Sequence, residues 1–219
     1  MMRQDVRGSL LTWSLMALSL LLVLAPGTPA QEKSVKPGIN KSFLDPTLKV
    51  EEWVARFEVE SREVFAARKE ILKAVGLKKG MTVADVGAGT GLFTIIFANE
   101  VGPKGWVYAV DIAPAFLQHI SHQGQREHLF NITPVLCAEN SVSLPPESID
   151  LAFVCDTYHH FEYPKSTLAS LHRALREKGT LVVIDLDRIP GKSRQWLLDH
   201  VRAGKETVRQ EIEAAGFEL

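Results

Sequence analysis

The chain has only two cysteines in 219 residues, Cys137 and Cys155, so no disulfide framework holds its fold. It has no excess of one charge: Lys and Arg number 25 against 26 Asp and Glu. A basic stripe of the kind that follows nucleic acid is therefore absent. It also has no internal repeat, and no low-complexity stretch beyond its first thirty residues. Charged residues make up 23% and hydrophobic residues 46%, which excludes a disordered chain and describes a globular one. Without its first thirty residues the chain is of a size for one domain with a real core.

Those first thirty residues form a separate object. Arg3 and Arg7 precede an apolar run from Leu10 to Ala25, and Pro26-Gly27-Thr28-Pro29-Ala30 supplies small residues at a cleavage point after Ala30. A charged start, an apolar middle and a small-residue end are the three parts of a secretory signal. The run is short for a membrane span of about 20 residues. Export with cleavage is the expectation, and an uncleaved N-terminal anchor is the alternative. Residues 31–46 are polar, with Pro37, Gly38 and Pro46, and read as a linker to a domain over 47–219.

What the chain does have is Val83-Ala84-Asp85-Val86-Gly87-Ala88-Gly89-Thr90-Gly91, followed by the apolar run Leu92 to Ala98. This reads as a strand, a tight turn and a helix start. Glycines let a ligand approach the backbone, and free N–H groups at the helix start favour a carboxylate or phosphate. The spacing is G-x-G-x-G, with Asp85 two residues ahead of the first glycine, and departs from the G-x-G-x-x-G of dinucleotide sites. The loop resembles motif I of class I S-adenosylmethionine (SAM)-dependent methyltransferases.

The rest of the chain alternates in the same sense. A helical pattern covers about 50–75. Strands are predicted near 81–86, 106–111, 132–137, 149–155 and 180–186, with helices near 91–100, 113–124, 164–177 and 204–215. Such alternation implies an α/β, Rossmann-like three-layer sandwich around a mostly parallel sheet. Gly216-Phe217-Glu218-Leu219 reads as a helix stop and the start of a further strand. Class I methyltransferases finish with two more strands, so the C-terminal strands are expected to be truncated.

Ligands in such sheets bind beyond the carboxyl ends of the strands. Asp111 ends the second strand, placed to accept from both ribose hydroxyls, with Ile112 against the adenine. Cys137 stands where many class I methyltransferases carry an adenine-binding Asp. Thiols are weak hydrogen-bond partners, so Glu139 or the backbone at Ala138 is expected to replace it. The fourth strand exits through Asp156-Thr157-Tyr158-His159-His160. His159 and His160 are candidate bases, with Tyr158 orienting the acceptor, since histidine titrates near neutral pH. Alternatively one histidine caps the next helix and the other packs on Phe161. Asp156 is assigned to the cofactor, and Arg62 to the carboxylate of its methionine part. With Asp85, Gly87, Ala88, Gly89 and Gly91 these complete the expected SAM site.

This cluster, with Gly102-Pro103-Lys104-Gly105-Trp106 and Glu213-Ala214-Ala215-Gly216-Phe217, resembles small bacterial class I methyltransferases that carry signal peptides. The resemblance covers about residues 50–219 and implies SAM-dependent methyl transfer to a small molecule, with no nucleic acid and no membrane beyond an N-terminal anchor. A non-catalytic SAM-binding module and a nicotinamide-dependent oxidoreductase are the alternatives. No metal is expected: His119, His122 and His128 lie on or after one helix, and no Cys or carboxylate completes a set at zinc spacing. Trp196, beyond the fifth strand, suggests a flat or apolar acceptor.

Overall fold

The computed structural model describes residues 32–219; the leader lies outside the described residues. Five strands, β1 (Thr82–Val86), β2 (Trp106–Asp111), β3 (Ile132–Leu136), β4 (Ile149–Cys155) and β5 (Leu175–Ile184), form one sheet in the order β3-β2-β1-β4-β5. Every pairing is parallel. The chain steps outward from β1 to β3, then returns to place β4 on the other side of β1. The switch point, where ligands bind in open α/β sheets, therefore lies between β1 and β4.

Strand residues alternate between two apolar clusters, as the two-residue period of a strand requires. Val83, Leu151 and Phe153 join Phe93 and Phe97 of helix α4 (Leu92–Val101) on one face. Phe93, Phe97 and Phe153 pack with ring centroids 4.8–5.6 Å apart. Ala84, Ala152 and Val154 join Leu168 and Leu171 of α6 (Pro164–Ala174) and Ile212 of α8 (Lys205–Ala214) on the other. Helix α5 (Pro114–Arg126) starts with Pro at its first position, where a missing N–H costs nothing, and packs Ile120 against Ala109 and Ala88.

Four details depart from the sequence reading. The helical stretch 50–75 is three pieces, α1 (Val50–Phe57), α2 (Glu63–Ala66) and α3 (Arg68–Val75); the break at 58–62 delivers Arg62 to the cleft. β5 begins at Leu175, with a register shift between Ile149 and Leu151 and Lys178 at φ +64°, so the charged start of a strand reads as the end of a helix. Helix α7 (Gln195–His200) has no counterpart in the sequence reading. Residues 217–219 form no strand, and β5 is an edge of the sheet among the described residues.

Residues 32–46 are bound into the domain, which overturns their reading as a linker. Val35 N–H donates to the Glu162 carbonyl at 2.9 Å, and Gly38 N–H to the Glu162 carboxylate at 2.9 Å. Ser34 also donates to that carboxylate, and Glu32 accepts from the N–H groups of Lys165 and Ser166 at the start of α6. Polar composition marked the segment as loop; its polar groups are spent on fixed partners. No helix of the described residues is long and apolar enough to cross a membrane.

Candidate active site

At the carboxyl end of the sheet lies a cleft of about 600 Å³. Its floor is the β1–α4 loop. Gly87, Gly89 and Gly91 hold φ of +72°, +53° and +89°, values that L side chains resist. Their surroundings differ. A Cβ on Gly87 would lie 2.2 Å from Thr157 Cγ2, and one on Gly91 2.7 Å from Ile120 Cγ1. A Cβ on Gly89 meets no protein atom nearer than the Gly87 carbonyl, at 3.9 Å. Gly87 and Gly91 are small so that the protein can close around them, whereas Gly89 leaves room for something that is not protein.

Asp111 fixes that loop. Its Oδ2 accepts the Gly89 N–H at 2.8 Å and its Oδ1 the Ala113 N–H at 2.8 Å. Each oxygen keeps a second lone pair for a ligand. Asp85 is buried and accepts from Thr94 Oγ1 at 2.6 Å. Burial pushes both carboxyls up, Asp85 to about 7 and Asp111 to about 6, and the proximity of Asp111 adds to the rise at Asp85. Ile112, Ala88, Ala138 and Glu139 all line the cleft. Burial pushes the Cys137 thiol up to about 12, so it stays protonated. It lines the cleft as a small apolar group.

One wall comes from the N-terminal elements. Arg62 reaches across to form an ion pair with Asp156, and lies 5.4 Å from the Phe57 ring centroid. Asp156 holds φ +52°, an uncommon value for a non-glycine residue and one found at functional turns. The two residues expected to touch the cofactor thus line the same cleft and hold each other. Phe43, Trp53, Phe57 and Phe116 complete an aromatic wall, with Phe43 4.9 Å from Trp53.

The far end is polar. A single 3₁₀ turn, Tyr158–His160, follows the β4 exit. His159 is buried; its Nδ1 lies 2.7 Å from Asp185 Oδ1 and its Nε2 3.2 Å from His200 Nε2. Its N–H also donates to Asp185 Oδ2 at 2.8 Å. His160 faces Phe43 edge-on at 5.2 Å, and burial depresses it to about 3. Its Nδ1 is buried without a hydrogen-bond partner. His200, the last residue of α7, and Trp196 line this end as well.

Tyr158 does not belong here. It is 1% exposed, packed in the core beside Phe161, and its hydroxyl donates to Glu211 Oε2 on α8 at 2.8 Å. The 3₁₀ turn sends Tyr158 and His159 in different directions, so an orienting role for Tyr158 is withdrawn. Glu211 also accepts from both terminal guanidinium nitrogens of Arg202, at 2.9 and 2.6 Å, which makes this a structural network tying α8 to the β4 exit. Asp185 and His200 join the site from beyond β5. Their partnership with His159 spans 26 and 41 residues, and no local spacing reveals it.

Residues 77–216 match the family model described as "Methyltransferase domain". The chain belongs to that methyltransferase family. Among curated relatives, the ubiquinone/menaquinone biosynthesis C-methyltransferase UbiE of Cupriavidus taiwanensis is 28% identical over 118 residues, which are 52% of this chain and 46% of that protein. Demethylmenaquinone methyltransferase of Listeria monocytogenes is 28% identical over 126 residues, 57% of this chain and 53% of that protein. The matched stretch spans about half the length of these relatives. A SAM-dependent methyltransferase from Aquifex aeolicus superposes with a TM-score of 0.67 at 27% identity, covering 78% of this chain and 90% of that one. In this methyltransferase-family chain the loop, the acid that ends β2 and the β4 exit all line the cleft.

Proposed function

We propose that this chain binds SAM over residues 85–91 and transfers its methyl group to a flat, largely apolar small molecule. The cradle carries the reading. Gly89 has an open Cβ direction, its N–H is pinned by Asp111, and Asp111 retains lone pairs facing the cleft. That is the arrangement a ribose beside an exposed backbone requires. Bound SAM supplies a methyl group already activated by a sulfonium. The protein's own task is then to align the acceptor and exclude water.

The chain's residues suit that division. Asp111 and the Gly89 backbone hold one end of the ligand. Ile112, Cys137 and Ala138 give the adenine end an apolar slot, with the nearby Glu139 carboxylate as its polar contact. Arg62, positioned by Asp156, is the cation for the methionine carboxylate. Phe43, Trp53 and Trp196 offer flat surfaces to the acceptor, and His159, His160 and His200 are the polar groups that meet it. The quinone biosynthesis named in the relatives agrees with a planar ring as acceptor.

Calorimetric titration with SAM, S-adenosylhomocysteine and NAD tests the cofactor. SAM and its demethylated product should bind with one-to-one stoichiometry and NAD should not; binding of NAD alone would overturn the reading. Turnover on a panel of hydroquinones and phenols tests the acceptor, and SAM binding with no turnover on any acceptor would assign a binding module instead. The three-part pattern of residues 1–30 supports export of the protein. N-terminal sequencing of protein from the native host should find Gln31 first, and an intact Met1 on a soluble cytosolic species would remove the export reading.

A further inference from the structure

We infer that His159, His160 and His200 bind one divalent transition-metal ion of the zinc class at the acceptor end of the cleft. Each presents one ring nitrogen, and the three nitrogens lie within 4.8 Å of one another. The rings converge from two separate elements, with centroids 4.3, 4.9 and 5.2 Å apart.

Three observations favour a metal over a plain hydrogen-bond cluster. The first is the third ring. A hydrogen bond accounts for His159 Nε2 and His200 Nε2 at 3.2 Å, but His160 Nδ1 is left buried with no partner, and an unpaired buried polar atom is costly. The second is the spacing. Two nitrogens about 2.0–2.1 Å from a tetrahedral ion stand about 3.3–3.4 Å apart, close to the His159–His200 separation. The third is the support behind the set. Metal-bound histidines commonly donate their other N–H to a carboxylate that fixes the tautomer. Asp185 sits 2.7 Å from His159 Nδ1 and also accepts the His159 backbone N–H, which leaves Nε2 as the free lone pair aimed at His200.

A second trio, Asp156, His159 and Asp185, also brings its donor atoms within 4.8 Å. It is the weaker choice. The 2.7 Å between His159 Nδ1 and Asp185 Oδ1 is shorter than the edge between two ligands of one ion, and Asp156 is engaged by Arg62. The Lys36 ammonium donates to the carbonyl oxygens of Asp199 and His200.

Three imidazoles leave one tetrahedral position open, as in catalytic zinc sites. Here that position belongs to the cleft that Trp196 and Phe43 share with the histidines. It would take an oxygen of the acceptor and make its hydroxyl more acidic. This last step rests on the methyl-transfer reading; the binding of the ion does not.

The test uses the full chain, stripped with a chelator and titrated with Zn²⁺ and, separately, Co²⁺. One equivalent should bind, and the cobalt form should show the intense visible absorption of four-coordinate Co²⁺. His200→Ala, on a partly exposed ring at the end of a short helix, should lower affinity at least about 100-fold, and Asp185→Asn about 10–100-fold. His122→Ala, on an exposed position of α5 outside the set, should match the parent. Circular dichroism and S-adenosylhomocysteine binding, measured on each variant, show that the fold and the cofactor end persist. No stoichiometric binding, or equal affinity in the parent and His200→Ala, overturns the site. A chain that binds the ion but not S-adenosylhomocysteine keeps the metal site and overturns the methyl-transfer reading.

Discussion

Two glycines two residues apart have opposite jobs. Gly87 is required by Thr157, which would occupy the space of its Cβ, whereas Gly89 faces open space that the proposed reading gives to the ligand. Gly87→Ala should therefore cost stability through a clash with Thr157 at the β4 exit, added to the strain of its own positive φ, lowering the melting temperature by several degrees. Gly89→Ala adds only the strain of a left-handed backbone, roughly 1–2 kcal/mol, and should lower the melting temperature less than Gly87→Ala does while losing SAM binding by at least tenfold. Thermal melts and calorimetry on the two variants separate these roles; a Gly89→Ala that binds SAM like the parent would mean the ligand does not cross this backbone. Asp111→Ala should weaken SAM by roughly 1–3 kcal/mol. It should also loosen the loop itself, since the same carboxylate holds Gly89 N–H.

At the level of elements, the segment before α1 acts as part of the site. Asn40 is buried and donates to the Glu139 carboxylate at 3.3 Å and the His160 carbonyl at 3.1 Å. Phe43 packs on Trp53, Phe116 and His160. What fastens the segment is Glu162, buried at the foot of α6, which receives Ser34 and Gly38. Glu162→Ala should release it: trypsin should cut at Lys33 or Lys41 faster than in the parent, and SAM affinity should fall while the sheet's far-UV signal holds. Unchanged proteolysis would mean the aromatic contacts suffice without the carboxylate. The β1–α4 loop was legible in the sequence because its chemistry is local, with glycines, an acid and a helix start inside ten residues. Asn40–Glu139 and His159–Asp185–His200 were not, because each joins residues far apart in the chain that only the sheet order brings together. Tyr158 was misjudged for a related reason. Its neighbours in sequence face the cleft, but its partner Glu211 lies on a helix 53 residues away.

On the scale of the whole molecule, the site costs the fold stability. Two buried carboxyls, Asp85 and Asp111, sit at the ends of adjacent central strands, and desolvation lifts them to about 7 and about 6 from 3.8. A carboxyl raised on folding binds its proton more tightly in the folded state, so its contribution to stability is full below the unfolded value and is lost as pH climbs through the folded one. For Asp85 the window runs from about pH 4 to about pH 7, where the folded chain holds more protons than the unfolded one. At one pKa unit per ~1.4 kcal/mol, ionising Asp85 in the ligand-free protein costs on the order of a few kcal/mol. Asp85→Asn keeps an acceptor for Thr94 and removes that penalty. Urea melts of parent and variant should differ least near pH 4 and diverge as pH rises, the variant being the more stable of the two by pH 8. SAM that binds only the folded state should stabilise the parent and offset the cost. Parallel stability curves between pH 5 and 8 would mean that Asp85 is ionised without penalty, held by Thr94 and the helix start of α4 as an ordinary carboxylate.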